Sequence, residues 1–484
     1  MQIEQLMEKE KQAQYQLISL FYQSTNEMTL KEATRNTNLS KQTVIKYIES
    51  LNSTLQLSQF NTRLIVKDDR LLWEMPDDLS WQHLVFMFLK DDIKYQILYH
   101  LFKHRQFNIT QLAQTLLISE ATLNRHLSGL NKLLAEFHIG ISQGHQVGEE
   151  LQWRYFYYEL FSQSLPLKER QHFVRQLDVT PYVRLIERLC ATTLSQDKID
   201  QLMLWLSISQ QRLMMLNKDN TVLLREKAKS YLENVFYSRL EKAVSHYFSR
   251  FAIEFDTSEV MALFAFLTSQ DLLPIATMKY ILGFGGPVSE KVTEALWLLR
   301  KGQMIEEGTI EEVIYGLGQL FSKAYFFQGK ILSQPTDDYL TEAIVAKENR
   351  DTLALLLNHV LVLADAREFH HSDLGESCKR ELRELLIFSH EKRQKILNVG
   401  IDTGDNPVRQ AILILKLRHC LDNNQYVHFK AFDEKTRFDY IISELDRQYQ
   451  PLIPIYRMKQ NGSPRDLAII GHHLKTLLRE KSGL

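Results

Sequence analysis

The sequence predicts a mainly α protein of five parts: two N-terminal winged helix-turn-helix domains, two all-α domains and a small C-terminal α/β domain. Three observations lead there. A capped helix pair occurs twice in the first third, apolar residues then recur at helical spacing, and the tail alternates strand-like with helical runs.

The first helix pair reads Thr29-Leu-Lys-Glu-Ala and then Asn38-Leu-Ser-Lys-Gln-Thr-Val-Ile-Lys. The second reads Ile109-Thr-Gln-Leu-Ala and then Leu117-Ile-Ser-Glu-Ala-Thr-Leu-Asn-Arg. In each, a short helix closes at an apolar turn residue (Leu39, Ile118) and a serine (Ser40, Ser119) caps a longer helix. The copies align from cap to a terminal Leu-Asn at an offset of 119 − 40 = 79 residues. A helix-turn-helix places its second helix in the DNA major groove. The side chains expected to read DNA are Lys41, Gln42, Thr43 and Lys46 in the first copy, with Val44, Ile48 and Leu51 packing inward. In the second, Thr122, Asn124, Arg125 and Lys132 are expected outside, and Leu123, Leu127 and Leu130 inside. The plain alternative for each polar residue is a solvated helix face. Glu120 is unhelpful near phosphate, so the heads are expected to contribute unequally. With few direct readers, recognition is expected to draw on DNA bending and groove shape as well.

Each helix pair has supporting elements. Residues 3 to 23 read as one amphipathic helix behind the first pair. The run Arg63 to Glu74, broken by Lys-Asp-Asp, reads as a β-hairpin wing whose Arg63, Lys67 and Arg70 are available to phosphate. Pro76-Asp-Asp breaks the chain. The second unit opens with an expected helix from Trp81 to His104, and its wing is expected around Gly144 and Gly148.

Helical periodicity continues from Leu165 to Phe388, with expected helices Ile199 to Leu216, Leu223 to Phe251, Glu259 to Thr268 and Thr341 to Ala366. Gly283-Phe-Gly-Gly-Pro-Val reads as a linker. It lacks the Lys-Ser/Thr and the preceding strand of a nucleotide loop. In the tail, strands are expected at Ile396 to Ile401, Tyr426 to Phe432, Phe438 to Ser443 and Leu452 to Tyr456. Helices are expected at Val408 to Leu421 and Pro464 to Lys481, which implies a largely parallel sheet. The expected boundaries are 1–78, 79–160, 161–283, 284–390 and 391–484.

Composition narrows the function classes. The formal net charge is −1, so attraction to DNA must come from local patches. Cys190, Cys378 and Cys420 are far apart and follow no metal-ligand spacing, which fits a reducing compartment. The first residues are polar where a signal peptide needs an apolar core, and the longest apolar run, Ala354 to Ala364, is too short to span a bilayer. A cytoplasmic, membrane-free protein is expected. No paired catalytic carboxylates, nucleophile elbow or phosphate loop with Lys is visible, so the chain reads as non-enzymatic, with no cofactor and no metal.

Two winged helices, two helical domains and an α/β tail together resemble the Mga family of global regulators from Gram-positive pathogens. The stretch Gly144-His-Gln-Val-Gly-Glu-Glu, followed by Arg154-Tyr-Phe-Tyr-Tyr, is similar to the Gly-Tyr-x-x-x-Gly-Glu…Arg lead into the regulatory region of sugar-responsive regulators. The resemblance implies a DNA-binding transcription factor acting on virulence or carbohydrate-use genes. It also implies two phosphotransferase-system regulatory domains (PRDs), an enzyme IIB-like tail, and a homo-dimer or higher oligomer formed through that tail. The implied partners are promoter duplex DNA, the phosphocarrier protein HPr and RNA polymerase.

In that family, phosphocarrier proteins phosphorylate PRD histidines, and a phosphate adding nearly two negative charges remodels helix packing. Here the first expected histidine site reads Leu206-Ser-Ile-Ser-Gln-Gln-Arg212, and the stretch after Glu259 reads Ala262-Leu-Phe-Ala-Phe-Leu, so neither holds a phosphohistidine. The candidates are His172, His246, His359, His370 and His371. His359, in Leu355-Leu-Leu-Asn-His-Val, best keeps the family's form; its structural alternative, shared by His246, is a buried, hydrogen-bonded core histidine. His370 and His371 stand at an expected helix end, where a cation suits the dipole. An enzyme IIB component carries a cysteine after its first strand. This chain has Asp402-Thr-Gly-Asp-Asn-Pro there, and Asp402 and Asp405 would repel phosphate, so the tail is expected to be a self-association surface. Two alternatives are an RNA-binding antiterminator, which shares tandem PRDs but begins with a β-rich RNA module, and a phosphotransferase-linked interaction module that binds no DNA.

Overall fold

The computed structural model describes residues 1–23, 27–58, 62–74, 80–104, 106–174, 180–213, 221–249, 256–305, 307–333, 350–363, 372–393, 397–403, 407–421, 426–433, 436–445, 449, 453–458 and 463–482. It divides into two units, Met1–Gly302 with Glu311–Glu384, and Gln303–Ile310 with Leu385–Leu484.

The first head of unit one contains α1 (Lys9–Gln23), β1 (Glu27–Thr29), α2 (Leu30–Thr37), α3 (Lys41–Leu57), β2 (Arg63–Lys67) and β3 (Arg70–Glu74). The single helix expected from residue 3 is a 3-10 turn, Ile3–Leu6, followed by α1. The break has a cause distant in sequence. Buried Asp92 accepts from the Glu8 amide at 2.8 Å and pairs with Lys11 at 2.8 Å, which holds the chain open before α1. The hairpin is as expected, but β1 joins it to give an antiparallel sheet of order β1-β3-β2. Asp68 and Asp69 make its two-residue turn with φ of 47° and 67°, the left-handed pair of a type I′ turn. Val44, Ile48, Leu51 and Leu55 of α3 face a core shared with Ile18, Phe21, Leu64, Leu71 and Trp73.

The second head contains α4 (Trp81–Leu89), α5 (Ile93–Lys103), α6 (Ile109–Thr115), α7 (Glu120–Leu134), β4 (Gly140–Ser142) and β5 (His145–Val147). The helix expected over Trp81 to His104 is two helices, because the chain turns at Asp92, whose carboxylate is committed to Glu8 and Lys11 and does not cap α5. The wing turns at Gln143 and Gly144. Gly144, at φ +78°, accepts from the Phe107 amide, and a Cβ there would lie 2.1 Å from the Phe107 carbonyl oxygen.

Behind the heads runs α8 (Glu150–Ser164), buried on nearly every side by Trp153, Phe156, Tyr157, Leu160 and Phe161. Its polar residues Glu150, Gln152, Arg154 and Glu159 are buried too, and each has a hydrogen-bonding partner. The helical series continues as α9 (Leu167–Val174), α10 (Thr180–Cys190), α11 (Gln196–Leu213), α12 (Val222–Lys229), α13 (Val235–Ser249), α14 (Thr257–Ser269), α15 (Ile275–Leu282), α16 (Pro287–Lys301) and α17 (Ile310–Phe326). The helix expected from Leu223 to Phe251 is divided into α12 and α13. Buried Asn234 divides it: its side chain accepts from the Tyr237 amide and donates to the Ile281 carbonyl. Gly283–Gly286 is a tight turn joining α15 to α16 within unit one, with Gly286 at φ +101° and Pro287 at the first helical position. After α17 an extended strap returns to α8 and the N-terminal segment. Gln152 donates to the Phe326 carbonyl and accepts from the Gln328 amide, Lys330 pairs with Glu159 at 3.0 Å, and Ile3 donates to the Leu332 carbonyl. Next come α18 (Arg350–Leu363) and α19 (Asp373–Arg393); residues 341–349 and 364–366 of the expected Thr341 to Ala366 helix lie outside the described residues.

Unit two carries the α/β tail: β6 (Leu397–Asp402), α20 (Pro407–Cys420), β7 (Val427–Ala431), β8 (Tyr440–Ser443), β9 (Ile455–Arg457) and α21 (Pro464–Ser482). Its four strands are all parallel, in the order β7-β6-β8-β9. Leu413 and Leu417 of α20 and Ile470 and Leu474 of α21 pack on Val399, Ile401 and Ile442.

Candidate nucleic-acid interface

Both recognition helices, α3 and α7, begin in the same way. Ser40 accepts from the Thr43 amide at 3.2 Å and Ser119 from the Thr122 amide at 3.2 Å, while each threonine hydroxyl bonds back to the serine, at 2.8 and 2.9 Å. Thr43 and Thr122 are therefore half-buried parts of the caps. Thr122 is half-buried where full exposure was expected, and Thr43 is half-buried likewise. Lys41, Gln42 and Lys46 on α3, and Asn124, Arg125 and Lys132 on α7, are exposed as expected. Lys46 and Arg125 occupy one repeat position, since 125 − 46 = 79. Glu120 accepts from Thr110 of α6 at 2.7 Å, which draws its carboxylate toward the first helix of the pair.

The terminal Leu-Asn of the repeat has a job that spacing alone does not reveal. Asn52 donates to the Leu64 carbonyl and accepts from the Leu64 amide, both at 2.8 Å. Asn131 does the same to Ile141, at 2.8 and 2.7 Å. Each amide side chain thus stands in for a neighbouring strand and fixes the first strand of the wing to the recognition helix. The repeated Asn was the available signal.

The wings present charge differently. At the first, Lys67 and Arg70 flank the turn and face each other in register. Arg70 lies 3.7 Å from Glu27, and Lys41 at the start of α3 pairs with Asp69 of the turn at 2.5 Å. These are exposed pairs of little stability, which a phosphate can replace. Arg63 does not serve the tip: it stands at the open end of the hairpin opposite Glu74, bonded at 2.7 Å, and that carboxylate holds its pKa above the ordinary value. This exposed pair, like those at the tip, is one that a phosphate can replace. At the second head an open groove of about 620 Å³ runs between α7 and the wing, lined by Asn124, Ser128, Asn131, Lys132, Gln143 and Gly144 among others. Ser128 and Gln143 enter the candidate surface only through the fold.

A buried charge network lies behind the second wing. Arg212 of α11 donates to Glu150 of α8 from Nε and Nη2, each at 2.8 Å, and from Nη2 to Gln146 of β5 at 2.9 Å. Arg154 of α8 donates to Glu150 at 3.0 Å and, with two nitrogens, to Glu259 of α14 at 2.7 and 2.8 Å. Burial opposes charge on both partners, but Arg212 and Arg154 hold the Glu150 carboxyl below its ordinary pKa, and Glu259 and Glu150 hold Arg154 above its own. The network ties the wing to the helices that follow it.

The histidine candidates are scattered. His246 on α13 and His359 on α18 are exposed, which corrects the buried-core alternative for both. Leu355 and Val362, one turn either side of His359, are exposed with it. The side chain of His172 on α9, together with His370 and His371, lies outside the described residues, as does Asp405. Ser207 and Ser209, where a histidine was sought, are buried on α11. In the tail, buried Asp402 accepts from the Tyr449 hydroxyl at 2.7 Å, so its carboxylate is tied into the fold. Among the described residues no group of three or more His, Cys, Asp and Glu is placed to hold a metal ion, and no helix is long and apolar enough to cross a membrane.

Residues 77–161, which contain α4 to α7, the second wing and most of α8, match the family model described as the Mga helix-turn-helix domain. No curated protein matches the chain.

Proposed function

We propose that this chain, a Mga family regulator by its helix-turn-helix domain at residues 77–161, binds promoter DNA with two reading heads and controls transcription in response to phosphotransferase-system status. It would do so as a non-enzymatic homo-oligomer assembled through the α/β tail. The observation that carries the DNA reading is the repeated head: a serine-capped recognition helix, an exposed cation at Lys46 or Arg125, and an Asn-anchored wing. A near-neutral chain that keeps Lys46, Lys67, Arg125 and Lys132 exposed on these elements has the local basic surface that phosphate contact needs. The response to sugar supply rests on the resemblance and on His359 and His246 being accessible to a phosphocarrier such as HPr. RNA polymerase is the natural partner of a protein bound at a promoter.

The test is binding of the purified chain to promoter-sized duplex across a salt series, for the parent, Lys46→Ala and Arg125→Ala. The parent should bind with a steep salt dependence, and each variant should bind more weakly with a log–log slope smaller by about 1. A folded parent that binds no duplex at low salt overturns the proposal in favour of a phosphotransferase-linked interaction module.

A further inference from the structure

The turn of the second head holds a residue that the fold itself does not favour. Ile118 donates to the Ala113 carbonyl at 3.0 Å and Leu117 to the Gln114 carbonyl at 3.1 Å, the pair of bonds that closes a helix in a Schellman motif. The left-handed residue of that motif is commonly glycine and sometimes asparagine, because a Cβ there crowds the backbone. Here it is Leu117, at φ +54°. The repeat supplies its own control: Asn38 holds the same position in the first head, 117 − 38 = 79, also at φ +54°. One copy uses a residue suited to the conformation, and the other uses a large apolar one.

Burial gives Leu117 no return. Its side chain is 91% exposed, the most exposed large hydrophobic among the described residues. Single exposed leucines are ordinary, but one that combines exposure with an unfavourable backbone conformation lacks a folding reason. Its place supplies another. Leu117 stands two residues before Ser119, the cap of α7, and the N-terminal end of a recognition helix is the end that meets base edges. The apolar surfaces there are thymine methyl groups and deoxyribose.

We infer that Leu117 is an apolar DNA-contacting residue of the second head, covered by a thymine methyl or a deoxyribose when the chain is bound. This rests on the DNA-binding reading above. A thymine contact makes the second head prefer A·T pairs beside the groove, a deoxyribose contact adds affinity without that preference, and neither carries charge.

The test uses the full chain and a 40-base-pair A·T-rich duplex, made once with thymine and once with uracil. Leu117→Gly and Leu117→Asn should fold with a thermal midpoint at or above the parent's, because both suit the left-handed position. They should nonetheless bind the thymine duplex about tenfold more weakly, equivalent to about 1.4 kcal/mol, with an unchanged salt slope. If the parent alone weakens on the uracil duplex, the contact is to the methyl group; if only the variants weaken, on both duplexes, it is to the sugar. Arg125→Ala serves as control, since it should lower the salt slope while Leu117 stays in place. Variants that bind both duplexes as the parent does overturn the inference and leave the DNA reading standing; a loss of self-association in sedimentation would then assign Leu117 to a contact between copies. A folded parent and control that bind neither duplex overturn both.

Discussion

Asn131→Ala should release the second wing from its recognition helix without unfolding the head. The side chain makes two hydrogen bonds to one buried residue, Ile141. At about 1 kcal/mol each their loss removes about 2 kcal/mol, and leaving a buried amide and carbonyl unpaired raises that to about 3 kcal/mol. Alanine's better helix propensity returns roughly 0.6 kcal/mol. The net local loss is about 2.4 kcal/mol, which should speed amide exchange across residues 139–148 by roughly 60-fold. Peptide-level hydrogen exchange measures this directly, and it avoids fitting one unfolding curve to a chain of two units. Asn131→Asp should fall between: it keeps an acceptor for the Ile141 amide but sets a carboxylate against the carbonyl. Asn52→Ala should do less, because β2 pairs with β3 over five residues in a three-stranded sheet, whereas β4 and β5 pair over three in a sheet that is two-stranded among the described residues. Unchanged exchange over residues 139–148 in a folded Asn131→Ala protein would show that the wing is held by Phe107 and Gly144 instead, and would refute the anchoring argument.

Other expected outcomes test the surrounding frame. Arg212→Ala should lower the stability of unit one by about 3–5 kcal/mol, since it leaves the buried Glu150 charge short of a partner; a melting temperature unchanged from the parent's would contradict the network's role. Because Glu150 has a folded pKa below its ordinary value of 4.5, its contribution is fully present above that pH and is lost as pH falls through the folded value. Stability from this site should therefore be flat from pH 6 to 8 and decline in acid, and Glu150→Gln should remove that part of the acid dependence in thermal melts. Gly144→Ala should loosen the second wing or block folding of its turn, through both the positive φ and the clash with Phe107; normal exchange protection at the Phe107 amide would count against it.

What was legible in the sequence was what depends on neighbours. Ser40 and Ser119, the heptad-like spacing of Val44, Ile48 and Leu51, and the strand–helix alternation of the tail are local patterns, and they stand where they were read. The failures come from partners far along the chain. Nothing near residue 92 shows that its carboxylate will reach Glu8 and Lys11, so two helix boundaries were missed at once. Strand β1 is three residues long and exists because β3 has an edge to offer. The apolar stretch around His359 suggested burial, but Leu357, Val360 and Leu361 are the buried side, and the histidine lies on the opposite side of the same helix.

The matched anchors of the two heads make their exposed positions interchangeable. Cap, inward leucines and wing-binding asparagine coincide at every offset of 79, so the outward residues Lys41, Gln42, Lys46, Glu49 and Ser53 correspond to Glu120, Ala121, Arg125, Ser128 and Lys132. A graft of those five side chains leaves the buried residues and the wing-binding asparagines in place, and of the wing contacts it replaces only the exposed pair of Lys41 with Asp69. Under the proposed function, sequence preference is then free to change in one head while the other maintains promoter binding, so a duplicated reader acquires new sites without first losing old ones.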